Sequence, residues 1–440
     1  PVERLKQHLI AINAWSEDRH VQTEAEILAD VTSVQKTVEA AGTMLDPGPM
    51  SSALIFDGVY KDMPEHLRRQ RQMGAALIGE GALWFGTERV SAHEGLARLG
   101  LAPLTLEPKD ALALANHSSV TIAVAGLAAA RAMRLVRVGM AAAALACEGY
   151  ATNLSIFDKR LNRLRPAGGQ AEAAAWFRRA FVGSSLAEPG SARSIQDALS
   201  FRTLAPVFGV AVFALSQLTR ESENELNGIC DNPVVLIQAL QNSIPDDEKL
   251  IQDPPEADLL STPNFQSAAL AHALDSAAIA IAQAANGTAQ RIVKLMMPGL
   301  TGLPKYLSPV GGASAGFVPL QKTAAALLAE IKLGAQPASL EAMPVSDGVE
   351  DVAPQSMLSA IKLTRQLDAF AYLVAAEALV AAQAVDLRKP ARLGQAAGVL
   401  FKAVRQHVPP LTDDRPIGPD LDRLKHALED NALVGALATL

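Results

Sequence analysis

Ser118-Ser119-Val120-Thr121-Ile122-Ala123-Val124-Ala125-Gly126-Leu127-Ala128-Ala129-Ala130 opens a run that continues to Tyr150 with apolar residues on most positions. Asn116, just upstream, has a side-chain oxygen suited to capping a helix start. The small alanines leave helix backbones free to approach closely, so this run predicts a long helix packed against other helices. Runs of the same character cover Thr203–Leu226, Asn264–Met297, Phe317–Leu333, Gln355–Leu387 and Leu393–His407. Several exceed the usual helix length, which points to an all-α bundle of long helices, of the kind often completed by other subunits.

The composition agrees. Of 440 residues, 49% are hydrophobic, 19% charged and only 4% aromatic. Alanine and leucine lose little side-chain entropy in a helix. The net charge of −7, from 39 basic and 46 acidic residues, argues against a nucleic-acid partner. Cys147 and Cys230 are too few for a disulfide framework and read as two buried thiols. The longest uninterrupted apolar stretch, around Val138–Cys147, is too short for a bilayer, and no signal peptide is visible. The expectation is a soluble, cytoplasmic protein with no membrane partner. The sequence starts at Pro1 without a methionine, so residues upstream are expected.

Three segments follow from these patterns: a divergent N-terminal segment 1–74, a helical core 75–410 and a C-terminal helical segment 411–440. The breaks between runs carry glycine, proline and polar residues. The break Asn232–Pro263 holds Ile244-Pro245-Asp246-Asp247-Glu248 and Asp253-Pro254-Pro255-Glu256, a composition suited only to a surface loop. Gly311-Gly312-Ala313-Ser314-Ala315-Gly316 reads as a flexible linker or a close-packing turn.

The breaks also hold the chemistry. Gln196-Asp197-Ala198-Leu199-Ser200-Phe201-Arg202 opens a long helix on this reading, and Arg202 is placed to clamp a carboxylate with parallel hydrogen bonds, or simply to form a helix-start salt bridge. Asp231-Asn232-Pro233 follows a helix and is equally compatible with turn chemistry. Asn264-Phe265 opens the next helix, as a cap and a core aromatic if it has no ligand. Glu350-Asp351 is either a solvated pair or, near a closed site, an acid or base of raised pKa. His117 reads as a structural hydrogen-bonder. The eight histidines lack metal-ligand spacing, no CxxC occurs, and no phosphate-binding glycine loop is present, so no metal is expected. Gly183-Ser184-Ser185 is followed by Leu186-Ala187-Glu188-Pro189, which does not fit the mobile loop of the fumarase and aspartase lyases.

Taken in order, these clusters resemble the histidine, phenylalanine and tyrosine ammonia-lyase family from about Gly74 to Pro390. Leu77-Ile78-Gly79-Glu80-Gly81 is similar to the family's glycine-glutamate-glycine turn, and Lys109 to Asn116 to its lysine-to-asparagine stretch. Gln196-Asp197 through Arg202 is similar to the segment bearing the substrate-carboxylate arginine. Asp231-Asn232-Pro233, Asn264-Phe265, Gly302-Leu303-Pro304, Ser314–Gln321 and Glu350-Asp351 complete the series. The resemblance implies a homotetramer whose sites combine several subunits. It also implies carbon–nitrogen lyase activity on an aromatic or histidine-like amino acid, with Glu350 catalytic and Arg202, Asn116, Asn232 and Phe265 binding the substrate.

The family's electrophile, methylidene-imidazolone, forms by cyclisation of an internal Ala-Ser-Gly. This sequence contains no Ala-Ser-Gly; counting back from Gly79, Met63-Pro64-Glu65 stands there, and proline lacks the backbone N–H. Leu199 stands where the family has a catalytic tyrosine, and no N-terminal tyrosine–glycine loop is found. His117 replaces a glycine, and Val349 a glutamine. Two readings follow: an ammonia-lyase that obtains an electrophile by another route, or an electrophile-free paralogue that binds a small carboxylate or catalyses different chemistry.

Overall fold

The computed structural model describes residues 75–85, 87–106, 118–230, 232, 234–237, 257–340 and 350–439. In chain order, β1 (Ala82–Phe85) and β2 (Glu88–Ser91) precede α1 (Ala92–Arg98) and the long α2 (Ser119–Tyr150). Next come α3 (Lys159–Leu164), α4 (Gln170–Ala180), the short α5 (Leu199–Arg202) and α6 (Leu204–Asn227). Strands β3 (Val234–Ile237) and β4 (Ala257–Leu260) precede α7 (Ala268–Leu295), α8 (Pro298–Thr301) and α9 (Val318–Gly334). The chain closes with α10 (Ser356–Arg388), α11 (Gln395–His407), α12 (Gly418–Leu428) and α13 (Asn431–Ala438). The long helices match the expected all-α architecture. Segment 1–74, the stretch Lys109 to His117 and the acidic loop between β3 and β4 lie outside the described residues, as do Asp231, Pro233 and Val349.

The chain divides into two compact units: residues 1–127, 221–271 and 339–358 form the first, and 128–220, 272–338 and 359–440 the second. In the first, β1 and β2 form an antiparallel hairpin with Leu83 opposite Val90. Both side chains are buried together with Ala76 and Ala92. Gly95 of α1 sits directly against Leu83, where a Cβ would lie 2.2 Å from the leucine methyl. The Ser91 hydroxyl caps α1 by accepting from the Glu94 N–H. Gly79 and Gly81 both have positive φ, which explains the glycine–glutamate–glycine turn at Leu77–Gly81. A second antiparallel pair joins β3 to β4, with Val234 opposite Leu260. Neither hairpin is among the sequence expectations: four-residue strands are too short to show a clear two-residue alternation.

In the second unit, α2, α6 and α10 meet through small residues. Gly139 faces Phe208, Val374 and Phe370, and a Cβ on Gly149 would come within 2.8 Å of the Ala384 methyl. Ala141 to Cys147 and most of Phe370 to Ala384 are fully buried, as close helix packing requires. Phe177 of α4 adds an aromatic cluster, stacked on Phe157 at 4.7 Å and tilted against Phe208 at 6.2 Å. Gly169, at the start of α4 with φ 71°, approaches the backbone of Gly209 in α6 so closely that a Cβ would stand 1.9 Å from the Gly209 carbonyl oxygen.

Buried polar side chains stitch these helices. The Gln366 amide donates to the carbonyls of Ala278 and Ile331, both at 2.9 Å, joining α7, α9 and α10. Gln383 donates to the Leu307 and Leu411 carbonyls and accepts from the Leu411 N–H. At the surface, the exposed Asp414 accepts from the Ser314 hydroxyl and from the N–H groups of Ala315 and Gly316. The glycine cluster at 311–316 is therefore a pinned turn rather than a free linker.

Glu148 ends α2 as a buried carboxylate that accepts from the Gly394 N–H at 2.9 Å. Burial raises its pKa above the usual carboxylate range, against the pull of Ser184 and Gly394. A raised folded-state pKa contributes stability that is complete below the unfolded pKa and lost as pH rises through the folded one. Glu148→Gln, which cannot ionise, should therefore match the wild type in acid and become relatively more stable as pH rises above the ordinary glutamate range. Melting curves of both proteins across that range check this; a difference independent of pH contradicts it.

Four expectations are corrected. Cys147 is buried, with burial pushing its thiol up to about 12, but Cys230 is only half-buried. Gln196 to Arg202 does not open a continuous long helix: α5 is a single turn, and α6 restarts at Leu204. Pro206 falls in the first turn of α6 and has no N–H to give the Arg202 carbonyl. Asn264 and Phe265 do not open α7; they lie in a turn closed by Gln266 N–H donating to Pro263, and α7 starts at Ala268. Finally, α2, α7 and α10 are each long and apolar enough to cross a membrane by length and composition. The sequence expectation counted only the uninterrupted apolar run and so missed windows that tolerate an isolated charge. In α10, 83% of the apolar window is buried inside the protein.

Candidate active site

Arg202 ends α5 in the second unit. The turn is too short to sustain itself and has no side-chain cap, so its neighbours must hold it. Phe201 supplies one anchor: its fully buried ring stacks on Tyr150 at 4.1 Å. Asp197 supplies another, accepting from the Asn153 N–H at 2.7 Å while the Asn153 amide donates to the Ile195 carbonyl. Burial raises the Asp197 carboxyl above its ordinary value, opposed by the Asn153 N–H and the charge of Arg202. The Arg202 side chain is exposed. Among the described residues it has no carboxylate within salt-bridge distance, so the simple helix-start salt bridge is not what the structure places there. Leu199, on the same turn, is 66% exposed and has no group able to transfer a proton.

The first unit brings together other expected residues. The Asn232 side-chain carbonyl accepts from the Thr262 N–H at 2.9 Å and from the Ser261 hydroxyl at 3.4 Å. The Thr262 hydroxyl accepts from the Asn264 N–H, so Asn232 fastens the turn that carries Phe265. Phe265 is 47% exposed and is not a core aromatic. Two residues on, Ser267 shares a buried 2.8 Å hydrogen bond with Ser356, tying this turn to the segment that follows Glu350. Glu350 itself is exposed. Asn116 and His117 lie outside the described residues. Among the described residues, no group of three or more His, Cys, Asp or Glu side chains is placed to hold a metal ion.

Sequence reasoning passed over one group that bears on this region. Arg291 of α7 and Glu377 of α10 form a buried ion pair, 2% and 0% exposed at their side chains. The Arg291 Nη1 donates to the Ser200 carbonyl at 3.1 Å, within α5. A charge standing inside each of two long apolar runs was the available signal.

A model of the aromatic amino acid lyase family matches residues 70–406. The chain belongs to the aromatic amino acid lyase family. Among curated relatives, histidine ammonia-lyase of Symbiobacterium thermophilum is 34% identical over 366 residues, covering 83% of this chain and 69% of the relative. The solved histidine ammonia-lyase of Trypanosoma cruzi superposes with a TM-score of 0.74 at 28% identity, over 85% of this chain and 68% of that one. Tyrosine aminomutase of Streptomyces globisporus gives the same score and identity, over 85% and 72%. These relatives support an ammonia-lyase-family function over the electrophile-free alternative, and the family is one of carbon–nitrogen lyases.

The family's methylidene-imidazolone forms from Ala-Ser-Gly. No Ala-Ser-Gly occurs among the 440 residues, and Met63-Pro64-Glu65 lies outside the described ones. Arg202 offers an exposed guanidinium on its anchored turn, and Asn232 sets the turn of Phe265.

Proposed function

We propose that this family member acts as a carbon–nitrogen lyase on a histidine-like amino acid, with Arg202 holding the substrate carboxylate. The observation that carries the reading is the exposed guanidinium of Arg202, with no carboxylate within salt-bridge distance among the described residues, on an anchored turn. The resemblance to the family adds Asn116, Asn232 and Phe265 as substrate-binding residues, and Glu350 as the catalytic acid or base. The naming of the curated relatives favours histidine over the larger aromatic amino acids. Turnover needs an electrophile that these 440 residues do not encode as Ala-Ser-Gly, so it must come from other residues or from a partner chain. The apolar surface left on α2, where 44% of the apolar window is buried, suits association with further copies as a homotetramer. We place the protein in the cytoplasm, with neither nucleic acid nor membrane as partner.

Calorimetry with L-histidine and with histamine, which has the same ring and amine but no carboxylate, tests the reading. Losing a charge-assisted carboxylate bond costs about 1.5–3 kcal/mol, so Arg202→Ala should weaken L-histidine binding by roughly 10- to 100-fold and leave histamine unchanged. Conjugated-acid absorbance in the same samples reports any turnover. Failure of the wild type to bind L-histidine, or an equal loss for both ligands, overturns the proposal.

A further inference from the structure

We infer that Arg291, buried in the core of the second unit, is a positioning residue that sets the carboxylate-binding side chain Arg202 through the Ser200 carbonyl; this rests on the reading of Arg202 just proposed. The guanidinium fork divides its work. Nε and Nη2 bind the two oxygens of Glu377, and Nη2 also reaches the Thr288 hydroxyl at 2.9 Å. Those contacts would satisfy a purely structural ion pair. The remaining branch, Nη1, leaves the pair and holds the Ser200 carbonyl, two residues before Arg202. The guanidinium also lies over the Phe208 ring at 5.8 Å, in the helix that restarts just after Arg202.

The turn needs such a hold. It has four residues and no side-chain cap, and Pro206 offers no N–H to the Arg202 carbonyl. Phe201 anchors it by stacking, and Asp197 holds the residues leading into it through the Asn153 N–H. The Arg291 contact at the Ser200 carbonyl holds the backbone of the turn itself. Lysine at 291 would keep the charge beside Glu377 but has no planar fork with which to reach Ser200 at the same time. Glu377 enters by orienting the fork, so the direction of the Nη1 branch is set by a carboxylate in a different helix.

The experiment uses the full chain as wild type, Arg291→Lys, and the apolar double variant Arg291→Met with Glu377→Leu, which keeps the test open should the lysine variant fail to fold. Hydrogen–deuterium exchange should rise in residues 199–203 while the rest of the second unit stays protected. A displaced binding group costs about 10- to 100-fold, so L-histidine affinity should fall by that order while histamine affinity holds. Unchanged exchange in 199–203, or a rise no greater there than elsewhere, overturns the positioning role. So does looser exchange with unaltered L-histidine preference, provided Arg202→Ala does alter that preference. If Arg202→Ala leaves the preference unaltered, the carboxylate reading itself fails, and the inference falls with it.

Discussion

Glu377→Ala lowers the unfolding free energy by roughly 3–5 kcal/mol, the cost of leaving a buried charge without its partner. Arg291 is 2% exposed and cannot turn to solvent, so after the substitution its hydrogen-bond partners are Thr288 and the Ser200 carbonyl, neither of them charged. Burial pushes the Glu377 carboxyl upward while Arg291 pulls it down, so the pair is held together against a large desolvation cost. Removing both charges behaves differently. Arg291→Met with Glu377→Leu restores part of the loss, because neither residue then buries a charge; what remains is about 1–3 kcal/mol for a Ser200 carbonyl left without its donor. Urea denaturation followed by circular dichroism measures both. If the single and double variants lose the same stability, the pair is not coupled in this way.

The second large effect falls at Gly169. Its φ of 71° alone costs a side-chain-bearing residue about 1–2 kcal/mol. A methyl group there would also stand 1.9 Å from the Gly209 carbonyl oxygen, a backbone atom that cannot swing aside. Overpacking of this kind adds about 1–3 kcal/mol, and more if α4 has to move. Gly190 separates the two contributions: it has φ 79° and nothing within 4 Å of a Cβ. Gly190→Ala should therefore lose only the backbone part and Gly169→Ala clearly more. Equal losses in thermal unfolding would show that α4 and α6 part easily.

Much of the fold was legible because it is written in long alanine-rich runs. α2, α10 and α11 begin and end within a residue or two of the expected places. The errors cluster where a local signal competes with tertiary contacts. Pro206 was visible in the sequence, yet its consequence, a break after Arg202, depends on the helix restarting so that proline occupies the first turn. Ser267, not Asn264, flanks the start of α7, and its partner Ser356 is 89 residues away. The family was legible as a set of residue types in order, and membership of the aromatic amino acid lyase family bears that out. How the site segments are held was not. Asn232 gripping Thr262, and Arg291 reaching Ser200, are contacts between segments remote in sequence, and no local pattern announces them.

The bonds of Asp414 and Gln383 carry a consequence for how the chain can be cut. A glycine-rich stretch such as 311–316 is ordinarily where a protease finds purchase. Here Asp414 occupies the hydroxyl of Ser314 and two successive backbone N–H groups, while Gln383 grips Leu411 at both its N–H and its carbonyl. A nick within 311–316 would leave two fragments that copurify, and trimming the chain back to residue 410 would expose that glycine turn to digestion 100 residues upstream of Asp414.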